Sequence, residues 1–180
     1  MSETTIWNID PMHTSVEFSI RHLEIADIRG QFPGVSGSLE VTGEDFENAK
    51  LSVTLDVRSV NTNNKMRDEH IQAADYFDTA NYPNATFVSR RIERGGDGGA
   101  LKAVGDFTLR GVTKEIALKV EELTAEVFDP LTKMTKRGAK GSMIINRKDY
   151  GMTMQMPLEA GGLLLGEQIP ITLNVELVKQ

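Results

Sequence analysis

Apolar and polar residues alternate one for one along much of this chain, and an extended strand with one dry face and one wet face satisfies that period. Over residues 14–22, Val16, Phe18 and Ile20 fall on one face, with Ser15, Glu17, Ser19 and Arg21 on the other. Val53, Leu55 and Val57 alternate with Ser52, Thr54 and Asp56, and Leu101, Ala103, Phe107 and Leu109 share a further face. Ile116, Leu118 and Val120 stand against Glu115, Lys119 and Glu121, and Ile169, Ile171, Leu173, Val175 and Leu177 form the cleanest series. Strands of this kind pair antiparallel, with water on one side of the sheet.

Turn residues separate the strands. The Gly-Gly-Asp-Gly-Gly run at 95–99 reads as a hairpin connection, Gly34 and Gly37 interrupt the segment after Phe32, and Pro130 sits in another loop. Over 64–75 the period changes: Met66, His70, Ile71 and Ala74 recur at helical spacing, and 44–49 reads as a single helical turn. The 180 residues suit one domain and contain no repeat or linker. The expectation is a single all-β domain over 1–180, with about eight antiparallel strands and one short helix, closed as a barrel or stacked as a sandwich. Its inward face mixes Phe18, Phe87 and Phe107 with Ala103, Gly105, Ala139 and Gly141. The small residues either leave room for a ligand or mark bulges and corners.

A formal net charge of −6 argues against nucleic acid, which needs a clustered cationic face. The absence of cysteine removes disulfides and thiolate metal sites. No run of about 18 apolar residues occurs, and residues 1–10 lack the basic-then-apolar order of a signal peptide, so a cytoplasmic location is expected.

Few residues carry chemistry. His13, His22 and His70 lack the spacing of a metal site, and none is expected. His22 continues the inward series of Val16, Phe18 and Ile20, at a cavity mouth or at an exposed strand end. Arg67 and His70 share a helix face. They suit an oxygenated head group, or Arg67 forms a solvated first-turn ion pair with Asp68. Gly34-Val35-Ser36-Gly37 misses the nucleophile-elbow spacing, and the stretch from Gly105 to Thr113 lacks the Gly-Lys pair of a phosphate loop. The basic run of Lys133, Lys136, Arg137 and Lys140 suits transient membrane contact or a solvated loop flank. Met152, Met154 and Met156, with Leu163 and Leu165, fit strand core, a lid over a lipid, or a dimer interface.

Several motifs in order carry a resemblance. They are Trp7-x-Ile9-Asp10-Pro11-x-His13-x-Ser15-x-x-Phe18-x-Ile20-Arg21-His22, Arg29-Gly30-x-Phe32, Arg67-Asp68-x-His70, and Ala74-Asp75-Tyr76-Phe77-Asp78 with Tyr82-Pro83. Gly105-Asp106-Phe107-Thr108-Leu109-x-Gly111-Val112-Thr113-Lys114, Asn146-Arg147-x-Asp149-Tyr150-Gly151 and Gly166-Glu167-x-Ile169 complete the set. Together the chain resembles the YceI-like, polyisoprenoid-binding family. That resemblance implies an extended, lipocalin-like antiparallel barrel holding an isoprenoid or other long-chain amphiphilic lipid, often as a homodimer, without cofactor or catalytic residue. It points to Phe18, Ile20, Leu55, Val57, Phe87, Phe107, Met143 and Ile145 around the tail, and to His22, Arg67, His70, Arg147 and Asp149 near the head group. A tail of ~20 carbons supplies roughly 16 kcal/mol gross at about 0.8 kcal/mol per methylene, part of which ordering takes back. The acidic chain favours a neutral quinone, phenol or amide head over a pyrophosphate. The rival expectation is an enzyme using the same cavity on an isoprenoid or fatty amide, with His70 or His22 as acid–base group and Arg67 as anion stabiliser.

Overall fold

The computed structural model describes residues 3–43, 46–95 and 100–180. It contains eleven strands and one α-helix among those residues. The strands are β1 (Thr4–Ile9), β2 (Ser15–His22), β3 (Ala26–Gln31), β4 (Val35–Thr42), β5 (Lys50–Asp56) and β6 (Asn84–Arg94). They continue as β7 (Leu101–Leu109), β8 (Val112–Leu123), β9 (Val127–Asp129), β10 (Met134–Asn146) and β11 (Gln168–Lys179), with the helix α1 at Lys65–Ile71.

Of the two architectures the sequence allows, the barrel is the one present. β11 pairs with β10 over its whole length and with β1 at its end, so β1, β4, β5, β6, β7, β8, β10 and β11 close a ring of eight antiparallel strands. The other three extend this wall: β2 and β3 as a hairpin against β11, and β9 against β10. β1 and β2 are two halves of one path along β11, broken where Asp10 accepts a hydrogen bond from the Met12 amide and Pro11 removes a ladder donor.

Local chemistry explains the helix. Asn64 caps it by accepting from the Arg67 amide at 3.0 Å, and α1 stops at Ile71, short of the 64–75 span that the spacing predicts. Residues after it fold back in turns, where Tyr76 donates to Ala73 and Phe77 to Ile71 through their amides. The predicted turn at 44–49 is a 3-10 turn over Phe46–Asn48, with residues 44 and 45 outside the described residues. The 95–99 connection lies mostly outside them too, although the Gly95 amide donates to the Ala100 carbonyl at 2.7 Å where β6 and β7 begin to part.

The small inward residues serve both expected roles. β6 shifts register between Ser89 and Arg91 opposite Gly105, and a Cβ on Gly105 would press into the Val88 carbonyl oxygen and the Ser89 Cα. β10 shifts register against β8 between Lys140 and Gly141, and Gly141 also borders open space inside the barrel.

Candidate functional site

A cavity of about 280 Å³ opens at the α1 end of the barrel. Strand periodicity places its apolar wall, which includes Phe18 and Ile20 from β2, Leu55 from β5, Phe107 from β7 and Ile145 from β10. Val57, just past β5 in a 3-10 turn, joins them. These six expected tail residues therefore share one space. Phe87 and Met143 border a smaller space deeper in the barrel, together with Leu55 and Phe107.

Aromatic packing shapes the wall below α1. The Phe18 and Phe32 rings lie 5.2 Å apart, and Phe32 meets Phe77 edge-on at 5.8 Å. Gly30 permits this, because a Cβ there would stand 2.5 Å from the Phe18 ring.

Polar groups gather at the mouth. His22 and Arg67 are half-buried and His70 is exposed, and all three border the cavity. The Arg67 guanidinium donates from Nε to the Thr62 hydroxyl at 2.7 Å and from Nη2 to the Thr62 carbonyl at 2.6 Å. Thr62 in turn donates through its hydroxyl and its amide to Asp68, at 2.6 and 2.8 Å. Arg67 and Asp68 are thus joined through buried Thr62, and Nη1 of Arg67 makes no hydrogen bond to the described residues. His70 packs edge-on against Tyr76, whose phenol pKa is raised chiefly by burial.

Arg147, expected near the head group, stands at the cavity with its guanidinium already partnered. It is 3% exposed, and its partners are backbone oxygens. It donates to Gly166 at 2.9 Å, Met152 at 2.5 Å, Met154 at 2.9 Å and Leu165 at 3.4 Å. Burial lowers its pKa, opposed by the charge of Glu167. Residues 151–167 form no strand, so the alternating methionines are not strand core. This segment lies along the end of β2: Leu164 and Gly166 bond with Leu23 and Arg21 through backbone groups, and Leu164, Leu165 and Met152 border the cavity. Arg147 ties the segment down.

Asp149, expected near the head group, is exposed in the 3-10 turn Arg147–Tyr150 and borders none of the three spaces described in the barrel, because the tight turn directs neighbouring side chains apart. Tyr150 from the same turn is buried instead, its ring 5.6 Å from Phe107 and its phenol pushed up to about 12 by loss of water. Thr62, Tyr76 and Leu164 are not among the residues expected at the site; Tyr76 lies inside the Ala74–Asp78 motif, Leu164 falls on the face opposite the alternating Leu163 and Leu165, and Thr62 occupies a segment without period.

Three of the four basic-run residues are committed within the fold. Lys136 lies 2.7 Å from Glu176, 3.1 Å from Asp129 and 3.9 Å from Asp10. The Arg137 guanidinium packs over the Trp7 and Phe46 rings at 5.2 and 4.9 Å, and Lys140 pairs with Glu122 at 2.8 Å. Asp10, His13 and Glu176 bring three ligand-type atoms within 4.8 Å of one another, with the Lys136 ammonium beside them. No helix of the described residues is long and apolar enough to cross a membrane.

Residues 7–177 match the model of the YceI-like domain. A UPF0312 protein of Staphylococcus aureus is 32% identical over 177 residues, covering 96% of each chain. Among solved structures, a Campylobacter jejuni YCEI protein superimposes with a TM-score of 0.72 at 27% identity, covering 89% of this chain and 90% of that one. A polyisoprenoid binding domain from Saccharophagus degradans, implicated in plant cell wall breakdown, shares the fold with a TM-score of 0.65 at 17% identity over the whole of both chains.

Proposed function

This chain belongs to the YceI-like family, and on that premise we propose that it binds the tail of an isoprenoid or similar long-chain amphiphile inside the barrel, without transforming it. One observation carries the proposal: an apolar cavity of about 280 Å³ whose polar groups stand together at the mouth. The tail supplies affinity through burial, and the mouth groups orient the head. The name of the Saccharophagus degradans neighbour gives the ligand class the same direction.

Arg67 offers an Nη1 donor with no hydrogen bond to the described residues, and Tyr76, His22 and His70 add further polar groups at the cavity, a set that suits a carbonyl, phenol or amide head. No specific feature favours turnover over binding. Storage or transport of the lipid and a homodimer belong to the same proposal.

Gentle purification followed by native mass spectrometry and organic extraction tests it. A co-purified long-chain lipid, released unchanged, is the expected result. A protein that neither carries nor takes up such a lipid overturns the proposal, and a chemically altered lipid favours the enzymatic alternative.

A further inference from the structure

Beyond the mouth cavity the described residues line two more spaces, of about 30 and 90 Å³. Their shared walls set the three in file. Along β11, Ile169 and Ile171 border the mouth cavity, Leu173 borders both inner spaces, and Val175 and Leu177 border only the last. β7 repeats the order: Leu109 at the mouth, Phe107 at the join, Leu101 and Ala103 at the far end. From Ile169 to Leu177 the strand covers about 20 Å of barrel axis at the usual rise and tilt. Phe46 borders the far chamber, and the Arg137 guanidinium lies over the rings of Phe46 and Trp7 beyond it.

An empty apolar chamber costs stability, because its wall loses contact partners and water finds nothing there to bond. Three small residues among the larger aliphatic ones of its wall leave this room. Ala103 is fully buried, Ala139 and Gly141 face the same space, and the Lys140 ammonium is held at Glu122.

Resting on the lipid-binding proposal, we infer that the far chamber receives the tip of the tail and sets the longest chain the barrel encloses. Phe107, Leu118 and Val16 form the neck through which the tip passes.

A ladder of prenols differing by one isoprene unit, each titrated against the full chain by displacement of a fluorescent fatty probe, tests this. Affinity of the wild type rises about fourfold for each methylene covered, then levels off once the tip has filled the far chamber. Ala103→Leu, which fills the chamber, moves that plateau to a shorter homologue and leaves shorter prenols within about twofold of wild type. Leu101→Ala, which enlarges the chamber, moves it to a longer one, and thermal unfolding confirms that both variants fold. The same plateau in wild type and both variants overturns the inference while leaving lipid binding intact. Failure of the wild type to bind any prenol overturns the underlying proposal instead.

Discussion

Nε of Arg147 donates to the Gly166 carbonyl oxygen at 2.9 Å, and that contact spans nineteen residues of chain to fix the segment beside the mouth. Replacing Arg147 by Met leaves the carbonyls of Met152, Met154, Leu165 and Gly166 without their donor. The expected cost is about 3 kcal/mol of stability. Hydrogen exchange locates the effect: the amides of residues 152–166 lose protection first. Uniform loss across the barrel would show that Arg147 supports the whole fold rather than this segment.

If the tail dominates binding, cavity and mouth substitutions separate. Ile20→Glu puts a charge into the apolar wall near the mouth and lowers lipid affinity by at least a hundredfold, about 2.7 kcal/mol. Arg67→Ala removes one head-group donor and weakens binding by about tenfold or less. Isothermal titration with one prenol measures both, and equal losses would contradict a tail-dominated site.

The cluster of Asp10, His13 and Glu176 carries a pH dependence with a definite sign. His13 Nδ1 hydrogen-bonds Asp10 at 2.8 Å and faces Glu176 at 3.5 Å; these partners raise its pKa, while nearby Lys136 opposes them weakly. Stability from the pair is therefore fully present below the ordinary histidine value of 6.5 and is lost as pH rises through the raised folded value. Asp10 is lowered, first by the His13 bond, so its contribution is present above 3.8 and is lost as pH falls through the depressed value. His13→Gln flattens the alkaline limb of a plot of urea midpoint against pH. An alkaline limb unchanged in this variant would assign the dependence to other groups.

Gly105 sits against the β6 bulge, where the Val88 carbonyl and Ser89 Cα leave no room for a methyl group. Gly105→Ala lowers stability by about 2 kcal/mol or more, because backbone must move to admit it. Thermal unfolding measures the loss, and a shift within error would mean that the bulge relaxes freely.

Much of the cavity wall was legible because strand alternation is local. Phe18, Ile20, Leu55, Phe107 and Ile145 face inward for the same reason that their neighbours face water. Arg147 and Asp149 stand two apart in one motif, and nothing in their order shows that one is buried under four carbonyls and the other exposed. Thr62 was missed because its role, linking Arg67 to Asp68, depends on the turn before α1 folding back onto the helix. Alternation in the 151–167 segment sets Leu163 and Leu165 on one face, yet adjacent Leu164 and Leu165 both border the cavity, because irregular backbone there does not keep the strand period.

The sequence by itself determined the alternating strands, their inward faces and a short helix after residue 64, since each follows from the conformational preferences of neighbouring residues. Tertiary structure decided between barrel and sandwich, through the pairing of β10 with β11 and of β11 with β1. It also set the three spaces in file and brought the Arg147 guanidinium to four backbone carbonyls of the 151–167 segment. Those features arise from groups far apart in the chain, whose meeting no local period encodes.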